Sequence, residues 1–161
     1  MNIEKLIKTL IASHLTIATM ESCTSGLIAS TITDTEGASE IFPGGYVTYQ
    51  NETKILAGVD ADIIKKYGVY SPECAHAMAQ AAKENLNTDI GIGITGTTGN
   101  VDPNNTDSVV GQAYFCIIIR DQVYPYEICT AANGMDRREI KRYYTGQVFE
   151  KLEKLIDSPG K

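Results

Sequence analysis

Leu15-Thr16-Ile17-Ala18-Thr19-Met20-Glu21-Ser22-Cys23-Thr24-Ser25-Gly26 is the stretch on which the reading of this 161-residue chain turns. Its first six residues are β-branched or apolar and predict a short buried strand. The next six read as a tight turn, and residues 27–33 follow as a helix. A strand that turns sharply into a helix holds Ser22 at the carboxyl end of a sheet, where α/β folds keep their sites. It also aims the free N–H groups of the helix's first turn at whatever lies beside the serine. A hydroxyl next to fixed N–H donors is the raw material of acyl transfer. The plainer alternative is that Ser22, Thr24 and Ser25 only cap the helix.

Working outward, Ile3, Leu6, Ile7, Leu10 and Ile11 repeat at helical spacing and predict an amphipathic helix over residues 2–13. Downstream of Ser22, residues 35–45 form a polar, glycine-rich connection. Residues 46–50 read as a short strand. Asn51 then caps a short helix through Lys54, and Asp60 caps another that ends near Gly68. Ser71-Pro72 opens a longer helix with proline at its first position. Residues 89–95 alternate isoleucine with small residues and predict an inner strand. Residues 96–105 are a loop, residues 109–119 a long strand, and Asp121-Gln122 a turn into a strand over 123–129. Pro125 marks that last strand as a sheet edge. A final helix starts about Asp136. Interleaved helices and strands with a terminal hairpin predict a single-domain three-layer α/β/α sandwich with a mixed sheet. The domain should span residues 1–157, with a loose tail over 158–161.

Bulk properties narrow the function. Hydrophobic residues make up 43% of the chain, so it is globular. A net charge of −6 argues against general nucleic-acid binding, which needs a basic face. No apolar run is long enough to span a bilayer. Met1 leads directly into the first helix, which reads as no secretory leader and a cytoplasmic location. The four cysteines form no Cys-x-x-Cys pair and read as reduced thiols. With only His14 and His76, a histidine-based metal site or triad is not expected.

Three further constellations carry possible chemistry. In the run from Gly44 to Lys54, a strand delivers Tyr49 and a helical turn delivers Lys54. An amine or phenolate can take a serine proton when burial or a second cation lowers its pKa. Otherwise Tyr49 packs and Lys54 is solvated. Thr95-Gly96-Thr97-Thr98-Gly99 follows a strand and could bring backbone N–H groups to an anion. It is neither a Walker loop nor a dinucleotide fingerprint. Arg137-Arg138, near the start of the last helix, could grip a phosphate or carboxylate.

Taken together, these elements resemble one family. Glu21-Ser22-Cys23-Thr24, Gly45-Tyr46-Val47-Thr48-Tyr49-x-Asn51-x-x-Lys54, Gly58-Val59, Gly68-Val69-x-Ser71, Thr95-Gly96 and Asp136-Arg137 occur in order. The chain resembles, over about residues 3–156, the C-terminal domain of the competence/damage-inducible CinA family, which includes stand-alone nicotinamide mononucleotide deamidases. The resemblance implies hydrolysis of the nicotinamide mononucleotide carboxamide to nicotinate mononucleotide and ammonia. It implies Ser22 as nucleophile, with Tyr49 and Lys54 activating it and shuttling protons. Ser39, Thr95, Gly96 and Arg137 fall at substrate-binding positions. No metal or organic cofactor is implied, and the expected assembly is a homo-oligomer, most simply a dimer, with Tyr114, Tyr124 and Tyr126 as interface candidates.

Three positions depart from the family's pattern. Ser25 stands where a second glycine is usual. Asn100 follows Gly99 in place of proline. Ser108-Val109-Val110-Gly111 replaces a Lys-Pro-Val-Gly run, so a cation is missing from the expected phosphate region. Two alternatives to the nucleotide amidase stay open: a hydrolase of another small amide, and a catalytically silent competence-related ligand- or protein-binding module.

Overall fold

The computed structural model describes residues 1–131 and 134–158. The expected tail over 158–161 therefore lies, but for Ser158, outside the described residues. The elements run α1 (Ile3–Ala12), β1 (Ile17–Glu21), α2 (Leu27–Thr33), β2 (Gly45–Val47), α3 (Asn51–Leu56), α4 (Ala61–Tyr67), α5 (Pro72–Leu86), β3 (Ile90–Gly96), β4 (Gln112–Ile119), β5 (Gln122–Cys129) and α6 (Arg137–Asp157). The five strands form one mixed sheet in the order β2-β1-β3-β4-β5. The pairings of β1 with β2 and with β3 are parallel, and those of β4 with β3 and with β5 are antiparallel.

The two faces of the sheet are covered by different helices. Ile90, Ile92 and Ile94 of β3 pack into a core with Leu6, Ile7 and Leu10 of α1, Ile28 and Ile32 of α2, and Tyr144, Val148 and Leu152 of α6. On the opposite face, Ala18 and Met20 of β1 meet Cys74, Met78 and Ala82 of α5. The glycines of β3 permit that second packing. A Cβ on Gly93 would lie 2.3 Å from the Ala75 carbonyl oxygen, and one on Gly91 2.3 Å from that of Ala79. The alternation of isoleucine and glycine thus lets α5 rest directly on the strand. The three-layer sandwich expected from the sequence is the observed fold.

Local details differ from expectation. The long strand begins at Gln112 rather than Val109, because Gly111 adopts a left-handed φ of +80° and turns the chain into the ladder. The strand expected over 46–50 ends at Val47, and the cap of α3 is Gln50, one residue before Asn51. The hairpin turn sits at Arg120-Asp121, with Arg120 at φ +54°. Pro125 does lie on an edge strand, where its missing N–H breaks no ladder. The hairpin tyrosines are half-buried and divide between the two faces, Tyr114 packing with Ala75, Ala79, Cys116 and Ile118. Tyr126 stacks on Phe115 with ring centroids 4.9 Å apart, and Tyr124 packs on the same core.

Candidate active site

Ser22 directly follows β1 and continues the alternation of Ala18 and Met20, so it turns toward the α5 face at the carboxyl edge of the sheet. Its N–H is held by the Ile94 carbonyl at 3.1 Å, and its carbonyl accepts from the Ser25 N–H at 3.1 Å. Ser25, standing where the family has glycine, takes a left-handed φ of +51° to close this elbow. The Ser22 side chain is largely buried and opens on a cavity of about 560 Å³. Cys23, Tyr49, Tyr70, Gly96, Asp102 and Arg137 are among its lining residues.

The most informative neighbour is Lys54. It is 2% exposed, and its Nζ donates to Ser22 Oγ at 3.2 Å and to the Thr48 carbonyl at 2.8 Å. The solvated alternative for this lysine is therefore excluded. Among the described residues no carboxylate lies within ion-pair distance of its ammonium. Burial lowers its pKa, against weaker opposing pulls from Cys74, Cys23, Asp102 and Glu52. Desolvation is the largest cause of that shift.

Glu21 changes the reading of the helix that follows the serine. Its carboxylate is fully buried. Oε1 accepts from the Ile28 N–H at 2.9 Å and the Thr24 hydroxyl at 2.6 Å, and Oε2 accepts from the Ala29 N–H at 2.9 Å. The first-turn N–H groups of α2 are thus occupied by Glu21 rather than pointed at a ligand beside Ser22. Neither are Ser22, Thr24 and Ser25 the caps: the N-cap residue is Gly26, which has no side chain to offer. An acid closing a wholly buried strand, just before a helix, was the signal for this role.

The remaining expected residues divide. Tyr49 stands at the rim, 61% exposed, and its hydroxyl accepts from Arg137 Nη2 at 3.3 Å. Arg137 also donates through Nη1 to Asn100 Oδ1 at 2.6 Å. Gly99 makes room for it, since a Cβ there would lie 2.8 Å from Arg137 Cγ. Asn100, in the family's proline position, thus becomes the anchor of the arginine. Thr95 is buried behind the cavity wall, and its hydroxyl has no hydrogen-bond partner among the described residues. Gly96 lines the cavity, but what requires glycine there is strand packing, because a Cβ would lie 2.5 Å from Ala113 Cβ. Ser39 is not brought to the site. It lies in a single 3-10 turn over Ala38–Glu40, beside the amino end of β1, where the Ile41 carbonyl holds the Ile17 N–H at 2.8 Å.

A second polar network was not read from the sequence. Asp102 Oδ2 accepts from the Tyr70 hydroxyl at 2.7 Å and from Asn105 Nδ2 at 2.8 Å, and Oδ1 accepts from the Asn104 N–H at 2.8 Å. Asn105 Oδ1 in turn accepts from Asn51 at 3.1 Å, tying the loop to α3. Burial pulls the Asp102 carboxyl upward, but these donors outweigh it and hold the pKa below the ordinary value. Burial and the Asp102 contact push the Tyr70 phenol up. Ser108, where the family has lysine, accepts from the Asp102 N–H at 2.8 Å. The Asn/Asp-rich composition of this loop was the available signal. Cys23, beside the nucleophile candidate, is pushed up to about 12 by burial and is inert as a thiolate.

Among the described residues no group of three His, Cys, Asp or Glu side chains gathers as a metal ion would need, and no helix is long and apolar enough to cross a membrane. What the arrangement can do is bring a buried amine onto a serine hydroxyl in a polar cavity.

Comparison with known proteins supplies the family. Residues 2–156 match the CinA C-terminal domain. A Moorella thermoacetica protein named for competence-damage induction is 45% identical over 115 residues, covering 71% of this chain and 28% of its own length. Protein MG115 of Mycoplasma genitalium is 34% identical over 144 residues, covering 89% of each chain. The chain thus spans nearly all of the Mycoplasma relative but under a third of the Moorella one. The crystal structure of a CinA-superfamily protein from Escherichia coli superposes with a TM-score of 0.86 at 26% identity, over 95% of this chain and 87% of that one. The chain belongs to the CinA C-terminal domain family.

Proposed function

We propose that the chain is an amidohydrolase that converts nicotinamide mononucleotide to nicotinate mononucleotide and ammonia. The single observation that carries this reading is the 3.2 Å contact between Ser22 Oγ and a buried Lys54 Nζ that has no carboxylate partner among the described residues. Burial favours the uncharged amine. Once Lys54 has lost a proton, the contact reverses and Nζ accepts from Oγ. The serine oxygen then bonds to the carboxamide carbon. As the tetrahedral intermediate collapses, the C–N bond breaks and Lys54 returns the proton to the departing nitrogen, releasing ammonia. Water attacks the resulting ester, Lys54 takes its proton, and Ser22 recovers its hydrogen as the acid leaves. The sum is amide plus water to acid plus ammonia. Tyr49 and Arg137, joined at the rim, orient the substrate over the serine.

One observation favours the silent binding module instead. Glu21 occupies the α2 amides that would otherwise stabilise an oxyanion. Incubating the purified protein with nicotinamide mononucleotide and assaying ammonia and nicotinate mononucleotide decides between them. Stoichiometric release of both supports the enzyme, and absence of turnover supports the module.

A further inference from the structure

We propose that Asp102 is a positioning residue for this reaction: through Asn105 its carboxylate fixes Asn51, and with it the short helix that sets the Lys54 amine on Ser22. The inference rests on the amidase reading above and concerns what aims the base, not what touches the substrate. Helix α3 is not held by apolar packing. Its one buried side chain is Lys54 itself, while Ile55 and Leu56 are exposed. The contacts between Gln50 and Thr53 that cap it are local. Beyond its far end, Asn85 donates to the Ala57 carbonyl at 2.8 Å. At its near end, the tie to another part of the fold is Asn51 to Asn105, in the loop after β3. Lys54 follows Asn51 by one helical turn.

The two amides pair side by side. Asn51 Nδ2 donates to Asn105 Oδ1 at 3.1 Å, and Asn105 Nδ2 donates to Asn51 Oδ1 at 3.4 Å. Asp102 sets which way Asn105 faces. A carboxylate only accepts, so Asp102 Oδ2 takes Asn105 Nδ2 at 2.8 Å and leaves Asn105 Oδ1 turned to Asn51. Asp102 is itself braced. The Tyr70 hydroxyl, from the turn before α5, donates to it at 2.7 Å, and its own N–H donates to the buried Ser108 Oγ at 2.8 Å. With the N–H groups of Asn104 and Asn105 added, the donors fill the roughly four acceptor positions of the carboxylate. Asp102 lines the cavity, yet its acceptors are spent on the protein. A displacement of about 1 Å at a reacting group can cost about 10² in rate, so a slack α3 would be felt at Ser22.

The test compares Asp102→Asn, Asn105→Ala and their combination with wild type, reading ammonia release from nicotinamide mononucleotide, with melting curves on the same samples. Each single variant should lose at least about tenfold in kcat while KM stays within about twofold of wild type. The double variant should be little worse than either, because the two residues act in series. The loss should persist on the alkaline plateau, where Lys54 is uncharged in every variant and only its placement differs. Protonation alone predicts the opposite sign at neutral pH. Asp102 is one of the groups that pull the Lys54 pKa up, with Cys74, Cys23 and Glu52, so Asp102→Asn would favour the free amine. Should Asp102→Asn fail to fold, Asn105→Ala leaves the carboxylate with Tyr70 and the Asn104 N–H and carries the test. A rise in KM with kcat unchanged would make Asp102 a substrate contact and overturn the inference. So would a loss that vanishes at alkaline pH, or folded variants with kcat within about threefold of wild type. Each of these leaves the amidase reading standing. Wild-type protein that releases no ammonia overturns that reading and the inference with it.

Discussion

Replacing Lys54 with methionine separates the chemistry of the site from its packing. Methionine has nearly the length of lysine and adapts to irregular space, so the buried stem keeps most of its contacts. Two opposing effects act on stability. The Thr48 carbonyl loses its 2.8 Å donor, a cost of about 1–3 kcal/mol for an unsatisfied buried acceptor. Against this, an ammonium 2% exposed and without a carboxylate partner among the described residues no longer has to be desolvated. The two nearly cancel, so the thermal midpoint should stay within about 4 °C of wild type, roughly 1 kcal/mol for a domain of this size. The remaining difference has a predictable sign with pH. Lys54 binds its proton more weakly folded than unfolded. Its electrostatic cost is therefore fully present below the folded pKa and vanishes as pH approaches the ordinary lysine value of 10.5. The methionine variant should compare best with wild type at low pH and worst at alkaline pH.

Activity should respond quite differently. Removing a general base costs about 10² to 10⁴ in rate, so amide turnover by Lys54→Met should fall at least about 10² while the protein remains folded. Lys54→Arg should be as inactive, because a guanidinium keeps its charge throughout the accessible pH range. In wild type, kcat/KM should rise with pH toward a plateau set by an apparent pKa below 10.5. Ser22→Ala should be at least as damaging as Lys54→Met, and the double variant little worse than Ser22→Ala. Steady-state ammonia release from pH 6 to 10, with melting curves on the same samples, measures all of this. A folded Lys54→Met or Lys54→Arg protein that retains a tenth or more of wild-type turnover refutes the Ser-Lys mechanism.

Three other substitutions test how the site is held. Glu21→Gln replaces a buried carboxylate that accepts from two α2 amides and Thr24; urea unfolding should show a loss of about 1–3 kcal/mol. Gly93→Ala drives a Cβ to 2.3 Å from the Ala75 carbonyl, and α5 must lift from the sheet. It should cost about 3 kcal/mol or more and lower the urea midpoint, whereas a midpoint near wild type would contradict the close helix–sheet packing. Tyr49→Phe removes one exposed acceptor of Arg137; if the tyrosine only orients substrate, kcat/KM should drop by about tenfold or less, and a loss matching that of Ser22→Ala would instead give it a proton-transfer role.

Local sequence determined most of the elements. The alternation of isoleucine with glycine over residues 90–95 specified both a strand and its two unlike faces, since period-2 patterning directly encodes which side meets which layer. Ser71-Pro72 and Asp136 marked helix starts because capping is a contact within one turn. Pro125 marked an edge strand because a missing N–H is a property of the residue itself. The Ser22 elbow was legible for the same reason, as apolar strand residues followed by a small-residue turn. What only the tertiary structure decided was everything that depends on distance across the fold. Lys54 reads as solvated by residue type and is buried because β2 and α3 deliver it beneath Ser22, 32 residues away in sequence. Glu21 could as well have faced the nucleophile; that it turns instead to the amides seven and eight residues later follows from where α2 comes to lie. Ser39, close to β1 in sequence order, ends at the opposite end of the strand because the 3-10 turn packs beside its start. The lining of the cavity, to which Glu52, Asp102 and Arg137 all contribute, likewise arises from three separate segments converging. Patterning encodes contacts made within a turn or a strand, while the environment of a titratable side chain is set by desolvation and by partners that only the packed chain brings near.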